Sequence, residues 1–422
     1  MPAHRVQPDR RPWTIFLPFA AGYLLSYLFR TINGPLADRL VVEFALDASS
    51  LGLLTSAYFF TFAAFQLPLG ALIDRFGPRR VQVVLSIVAA AGAVLIAGAH
   101  SLSLLIAGRA IIGLGTSGAL MTGLKALNLW TPRPRLTAMN GLYIMFGGLG
   151  AMASTYPIGW LSDAMGWRGT FYVLAATTLA IAATTWLAMP EKTTDTLPEP
   201  WRDVFVAFGQ IYRTASFWRV APLSAMIIGT AFAVHGLWAA RWMVDVNGIA
   251  TADITSNLLL MGAGLTIGAA TIGTLASSLR ARGVGSATIF AGACGLFLLV
   301  QLVILTDRQL PAWLPWSCFA LFGGMTVLGY SMLADIFPQE RIGRANGALN
   351  VLHIGMAFVI QSLIGAVTNM WAPDAAGAYP LLAYQTALAV PVVLQVLALL
   401  WFLLAPLLSK MGLIPAKVRN AT

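Results

Sequence analysis

Charge is scarce in this chain. Of 422 residues, 16 are Asp or Glu and 26 are Lys or Arg, so 10% are charged, against roughly 25% in soluble domains. With 58% hydrophobic residues and a mean hydropathy of +0.77, that shortage excludes an ordinary soluble domain and points to an integral membrane protein. Cysteine is nearly missing: Cys294 and Cys318 lie inside apolar segments without metal-type spacing and carry no redox message. Carboxylates are missing from the middle of every apolar run, so the usual acidic proton carrier has no candidate. A cleaved leader is not expected either, because the apolar stretch from Trp13 is too long for a signal core and lacks a small-x-small site.

Apolar runs bounded by charge or by Pro and Gly clusters fall at 13–37, 51–73, 81–99, 102–125, 138–161, 169–189, 220–244, 254–277, 285–306, 312–334, 345–369 and 380–408. Each is long enough to cross a bilayer. Twelve spans put both termini on one side, and 20 of the 26 Lys and Arg residues fall in the tails and loops of that side. The positive-inside bias makes it cytoplasmic, in a multi-pass cytoplasmic (inner) membrane protein. Trp13, Trp130, Trp167, Trp218, Trp313 and Trp371 sit near span ends, as an interfacial belt requires. A net charge of +10 borne by short loops suits anionic lipid headgroups as partners, not nucleic acid. Forty glycines spread through apolar runs suit helices that approach closely.

The longest polar stretch, Glu191 to Arg219, divides the chain and holds a candidate amphipathic helix around Trp201 to Tyr212. The expected organisation is a tail at 1–12, a six-helix bundle at 13–190, a cytoplasmic linker at 191–219, a second bundle at 220–408 and a tail at 409–422. The halves look alike. Arg-Leu-Thr-Ala-Met-Asn-Gly from Arg135 matches Arg-Ile-Gly-Arg-Ala-Asn-Gly from Arg341, and Ile158-Gly159 matches Ile364-Gly365, both 206 residues apart. Gly70 to Arg80 has a worn counterpart from Gly273, 203 residues on. Two repeated halves are the plan of many secondary transporters, with the solute site between them near mid-membrane.

Gly-Ala-Leu-Ile-Asp-Arg-Phe-Gly-Pro-Arg-Arg, from Gly70 to Arg80, sets a dense basic turn between two apolar runs. Gly70 and Gly77 permit a reversal, and Arg75, Arg79 and Arg80 mark the cytoplasmic face. This pattern resembles the loop between the second and third helices of the major facilitator superfamily, departing from it at Pro78. Arg109-Ala-Ile-Ile-Gly113-Leu-Gly115 adds the superfamily's Arg-x-x-x-Gly-x-Gly pattern. The resemblance implies an all-α membrane protein of twelve helices in two pseudo-symmetric six-helix bundles. It also implies a conformational gate at Gly70, Asp74, Arg75, Gly77 and Arg79. Asp74 would approach the start of span eleven, and Arg75 and Arg79 would pair with Asp335 or Glu340 in the outward-open state. Arg109 would help proton transfer or pin span four.

Arg30 is the first candidate for solute binding. It lies about eight residues, or ~12 Å of helix, from Asp38, where a guanidinium persists because it faces water, an anion or a fixed partner. Tyr23, Tyr27 and Arg30 share a face, with Asn33 close by. Tyr-x-x-Arg with a following Asn is similar to the first helix of the organic-anion and phosphate-type porters. On that reading Arg30 binds a carboxylate, phosphate or comparable anion; the alternative is a structural ion pair or snorkelling. His235, at comparable depth on span seven, has Trp238 on its helical face. Asn346, Asn350, His353 and Gln361 form a polar stripe on span eleven that serves solute binding or helix-to-helix adhesion. Lys125 either holds an anion or snorkels. If protons drive transport, His235 or His353 carries them.

The expected function is therefore a secondary active transporter taking up a small anionic or zwitterionic solute, as a monomer, with no metal and no cofactor. Efflux of drugs or metabolites is the alternative. A metal or metal-chelate importer using Met226, His235, Met261, His353 and Met356 is a weaker one, and a sensor on the same fold is a third class. Gly115-Thr-Ser-Gly118 superficially matches intramembrane serine proteases, but no His has the required setting, so no enzyme is expected.

Overall fold

The computed structural model describes residues 12–190, 201–306 and 310–411, and every regular element among them is a helix. Most of both expected tails, the first ten residues of the linker and Arg308 lie outside the described residues. Nine helices are each long and apolar enough to cross a bilayer, and Trp13–Thr31 with Asn33–Phe44, bent by 43°, makes a tenth such run. Two glycines then raise the number of crossings. Inside Ala48–Ala97, Gly77 adopts φ 80°, which reverses the chain and separates one crossing from the next. Gly166, at φ 75°, does the same inside Tyr156–Ala188, whose first ten residues continue Arg133–Ala153 as a crossing of its own. Both need the left-handed backbone that glycine adopts without a Cβ clash. Twelve crossings result among the described residues, as the apolar runs predict. Gly70, also expected at the first turn, is instead an ordinary residue of the helix, which continues for most of the predicted loop.

In chain order the crossings are Pro12–Thr31 with Asn33–Phe44, 48–76, 78–97, Leu102–Trp130, Arg133–Ala153 with 156–165, and 167–188, then Ala215–Asp245, Thr251–Ala281, Ser286–Thr306, Trp313–Ile336, Gln339–Thr368 and Leu381–Lys410. Several are interrupted, and the interruptions obey the repeat. Crossing four breaks at Ser117 and Gly118 and crossing ten at Gly324 and Met325. Crossing one bends at Ile32, and crossing seven relaxes into a π-helical turn at Val234–Trp238. Broken helices at matching places in two halves are where transporters of this plan build their sites, and π turns inside α-helices gather at functional positions.

Small residues set the helix spacing. A Cβ on Gly113 would sit 2.2 Å from the Tyr58 carbonyl oxygen, and one on Gly268 would sit 2.0 Å from that of Leu321. Both approaches are closer than any side chain permits, which is how helices associate where lipid is as apolar as leucine.

The halves meet from mid-membrane to the face opposite the basic loops, here called the far face. Phe60 and Phe358 rings lie 5.4 Å apart, and Ser362 Oγ donates to Ser56 Oγ at 2.9 Å. Nearer the far face, Asn369 Nδ2 donates to Asp47 Oδ2 (3.0 Å) and the Ala48 amide donates to Tyr379 Oη (3.1 Å). Arg241 on crossing seven bonds Asp38 on crossing one at 2.5 Å. At the basic face Asp74 pairs instead with Lys125 of its own half (2.8 Å). Asp335 and Glu340 are exposed and form no ion pair with Arg75 or Arg79 among the described residues. The helix Trp201–Tyr212 packs against the start of crossing eleven, where Tyr212 Oη donates to the Ala348 carbonyl (3.0 Å).

Candidate solute-binding site

Crossing one ends its first helix at Thr31, which leaves the carbonyls of its last turn short of intrahelical donors. Arg109 Nη1 donates to one of them, that of Phe29, at 2.7 Å, and its guanidinium lies 5.0 Å from the centre of the Tyr58 ring. Asn33 Nδ2 donates to Thr55 Oγ1 (2.9 Å), and Thr31 Oγ1 bonds both the Tyr27 carbonyl and Ser154 Oγ. The bend is thereby pinned by crossings two, four and five, and Arg30 is held in the interior at the break.

Arg30 is 5% exposed. Its guanidinium carbon lies 4.4 Å from the ring centre of Tyr27, 5.1 Å from Phe62 and 4.7 Å from Phe232. Rings at such distances stabilise a cation by about 2 kcal/mol or more when water is excluded, yet they supply no counter-charge. No carboxylate pairs with Arg30 among the described residues, and its buried Nε has no hydrogen-bond partner among them. A cavity of about 20 Å³, room for little more than one water, opens between Arg30 and Tyr27 on one half and Phe232, His235 and Phe319 on the other. His235 reaches it from the π-helical turn. The halves also approach beside it, where a Cβ on Gly34 would lie 3.5 Å from the Gly236 carbonyl oxygen.

This arrangement repeats across the seam. Arg30 and His235 are 205 residues apart, and Asp38 and Arg241 are 203 apart, both within the spread of the internal repeat. Above the cavity, Arg241 is held by Asp38 and by Asp245 (2.9 Å), and Asp245 also accepts from Tyr384 Oη (2.6 Å) and the Tyr379 amide (3.3 Å). The Arg241 and Asp245 side chains are 9% and 1% exposed. Removing one partner from such a cluster strands the other charges, a loss of roughly 3–5 kcal/mol.

The family model described as Major Facilitator Superfamily matches residues 19–362. The chain belongs to that superfamily. Among curated members it is similar to the probable sulfoacetate transporter SauU of Cupriavidus necator, at 24% identity over 381 residues covering 85% of this chain and 86% of that one. It is similar to the glucose transporter GlcP of Staphylococcus epidermidis at 24% identity, covering 84% and 89%. It also resembles the nitrite extrusion protein of Bacillus subtilis at 25% identity, covering 56% and 57%. Its fold matches the crystal structure of a bacterial homologue of the human lysosomal transporter Spinster, inward-facing and unoccupied, with TM-score 0.77 and 17% identity over 94% of this chain and 98% of that one. It is a multi-pass membrane transporter.

Within the superfamily pattern, Gly113 lets crossing four touch crossing two, and Gly115, whose added Cβ would lie 2.3 Å from the Ala89 nitrogen, lets it touch crossing three. Arg109 pins the bend in crossing one. Of the residues read as solute ligands, the structure brings Arg30, Tyr27 and His235 together on one cavity and places the others elsewhere. Tyr23 stacks on Tyr143 at 5.0 Å in the core of the first half. Asn33 is buried against Thr55. Trp238 is 1% exposed, wedged by Gly52 and Gly365 with its Nε1 donating to the Gln361 carbonyl (3.3 Å), so it is no wall of the cavity. His353 is fully buried, its Nε2 at 2.9 Å from Ser224 Oγ, and Asn350 accepts from Tyr330 Oη at 3.2 Å. The stripe on crossing eleven therefore bonds crossings seven and ten. Ser117 Oγ donates to the Leu114 carbonyl at 2.7 Å within its own helix. Among the described residues no group of three His, Cys, Asp or Glu side chains could hold a metal.

The aromatic cage around Arg30 and the Asp38–Arg241 clamp escaped the sequence reading. Phe62 and Phe232 sit in featureless apolar runs. Asp38 and Arg241 lie at the ends of apolar runs 203 residues apart, a spacing that already carried the repeat.

Proposed function

We propose that this transporter moves a small anionic solute by alternating access, with Arg30 as its anchor. The observation that carries the reading is a caged guanidinium without a carboxylate partner, lining the cavity between the halves. A buried arginine in a membrane is unfavourable unless something neutralises it, and a carboxylate, sulfonate or comparable oxyanion supplies charge-assisted hydrogen bonds to a guanidinium. Two of the three relatives described above are named for small oxyanions, sulfoacetate and nitrite.

With the basic face cytoplasmic, the clamps at the far face close this conformer to the outside. In the opposite conformer the Arg241 cluster opens, and Asp74, Arg75 and Arg79 meet the start of crossing eleven near Asp335. The cavity of about 20 Å³ then widens as the halves rock, because a space of one water admits no solute. Flux into vesicles containing the purified protein tests the reading. Sulfoacetate, nitrite, acetate and glucose are compared. Saturable flux of an anion, competed by other anions and not by glucose, is expected; saturable flux of glucose alone would sink it.

A further inference from the structure

We propose that His235 takes up one proton when the Arg30 site binds a doubly charged anion and none when it binds a singly charged one, so that the solute's own charge sets the proton stoichiometry. The inference rests on the anionic-solute reading and deepens it. Arg30 and His235 face one cavity from opposite halves, and they are brought there by the paired irregularities of crossings one and seven.

The charges around that cavity are few. From crossing one come Arg30 and Tyr27, from crossing eight Leu265, and from crossing ten Phe319, Ala320 and Gly323. Tyr330 is in electrostatic reach of Arg30 and Tyr27 but is a neutral phenol. The π turn also packs against Asn33–Phe44, whose Asp38, Arg39 and Glu43 are all engaged, with Arg241, Asp163 and Arg168. Arg30 is therefore the one fixed charge of the cavity among the described residues. A singly charged anion matches it alone. A doubly charged anion leaves one negative charge uncompensated at low dielectric, where that is most unfavourable.

Only one neighbour can correct the balance near neutral pH. Histidine gains a proton there, whereas a tyrosine is already a protonated phenol and can take up none. The proton comes from water on the side from which the solute enters, resides on an imidazole nitrogen, and leaves with the solute when the other side opens. Arginine, imidazolium and dianion then sum to zero. His353 is differently placed, bonded to Ser224 and away from the cavity.

Calorimetric titration of the purified full-length protein near pH 7, in buffers of different ionisation enthalpy, counts the protons. The probes are isethionate, a monoanion, and sulfoacetate, a dianion of similar size. The expected result is about one proton taken up per sulfoacetate and about none per isethionate, with the sulfoacetate Kd weakening toward about tenfold per pH unit on the alkaline side. His235→Gln removes that uptake and flattens the pH dependence, and His353→Gln preserves both. Equal uptake with both probes, or uptake that persists in His235→Gln, overturns the inference while leaving the anion reading intact. Binding of neither probe sinks the anion reading and this inference with it.

Discussion

Ser56 of crossing two and Ser362 of crossing eleven share a hydrogen bond of 2.9 Å between their hydroxyls, across the boundary between the two halves. Two side chains this close, on elements that must separate when the far face opens, make the contact a reporter of the transport cycle.

Replacing both by cysteine places two sulfurs within bonding reach. Cys294 and Cys318 are free, and Cys294 is buried. Oxidised S56C/S362C is expected to lose nearly all flux and to recover it on reduction, while each single variant transports. Unimpaired flux in the cross-linked protein would mean that the halves do not part there.

Arg30→Lys keeps the charge and loses the planar fork and its stacking on Tyr27 and Phe232. The Kd for a transported anion should rise at least about tenfold, equivalent to ~1.4 kcal/mol, with surface expression retained. An unchanged Kd removes Arg30 from the site.

Arg241→Gln strands Asp245, which is 1% exposed, and removes the Arg241–Asp38 bond across the seam. Cysteine labelling at far-face positions such as Ser50 should rise several-fold relative to the parent, as the clamp on that face weakens. Labelling that stays at the parent level would show that Arg241 does not hold the face closed.

Asp47 sits in the turn before crossing two. Partial burial works against its carboxylate, but hydrogen bonds from Ser50 and Asn369 outweigh this and hold its pKa below the ordinary value. Its contribution is therefore complete above the unfolded value of about 3.9 and is lost as pH falls through the lower folded value. Asp47→Ala also removes the cap on the helix that begins at Ala48, an effect of about 1 kcal/mol. The melting temperature of Asp47→Ala should lie below the parent's by the same margin from pH 6 to 8, and the gap should narrow only below about pH 4. A gap that changes between pH 6 and 8 would assign the ionisation to another group.

Gly268→Ala drives a Cβ to 2.0 Å from a backbone oxygen, whereas Gly295→Ala meets nothing within 4 Å. The first should lower stability by about 1–3 kcal/mol, and the second should leave it level or raise it by up to ~1 kcal/mol, both read from thermal melting in detergent.

The membrane architecture was legible because hydropathy and loop charge report directly on how a chain crosses lipid, and the break at Gly77 could be placed from its neighbours. Arg30 and His235 stood out for a related reason, since a polar residue in the middle of an apolar run has to be explained. The cage around Arg30 was not legible, because Phe62 and Phe232 look like any lipid-facing phenylalanine until packing turns them inward. His353 stayed open between solute contact and helix-to-helix adhesion for the converse reason. A buried imidazole bonded through one nitrogen to Ser224 has the same sequence signature as one that faces a solute, and only the surroundings tell them apart.

The widened turn at Val234–Trp238 fixes which way the rest of its helix points. Relative to an unbroken α-helix, it carries the equivalent of one extra residue, and each residue advances the spiral by about 100°. Deleting a single amino acid there lets the helix close up regularly, so Arg241 keeps its bearing on Asp38 while the widened stretch that carries His235 toward Arg30 is lost. Kin one residue shorter at that spot would thus keep the clasp but lose the imidazole's reach, and would have to balance their cargo's charge by some other means.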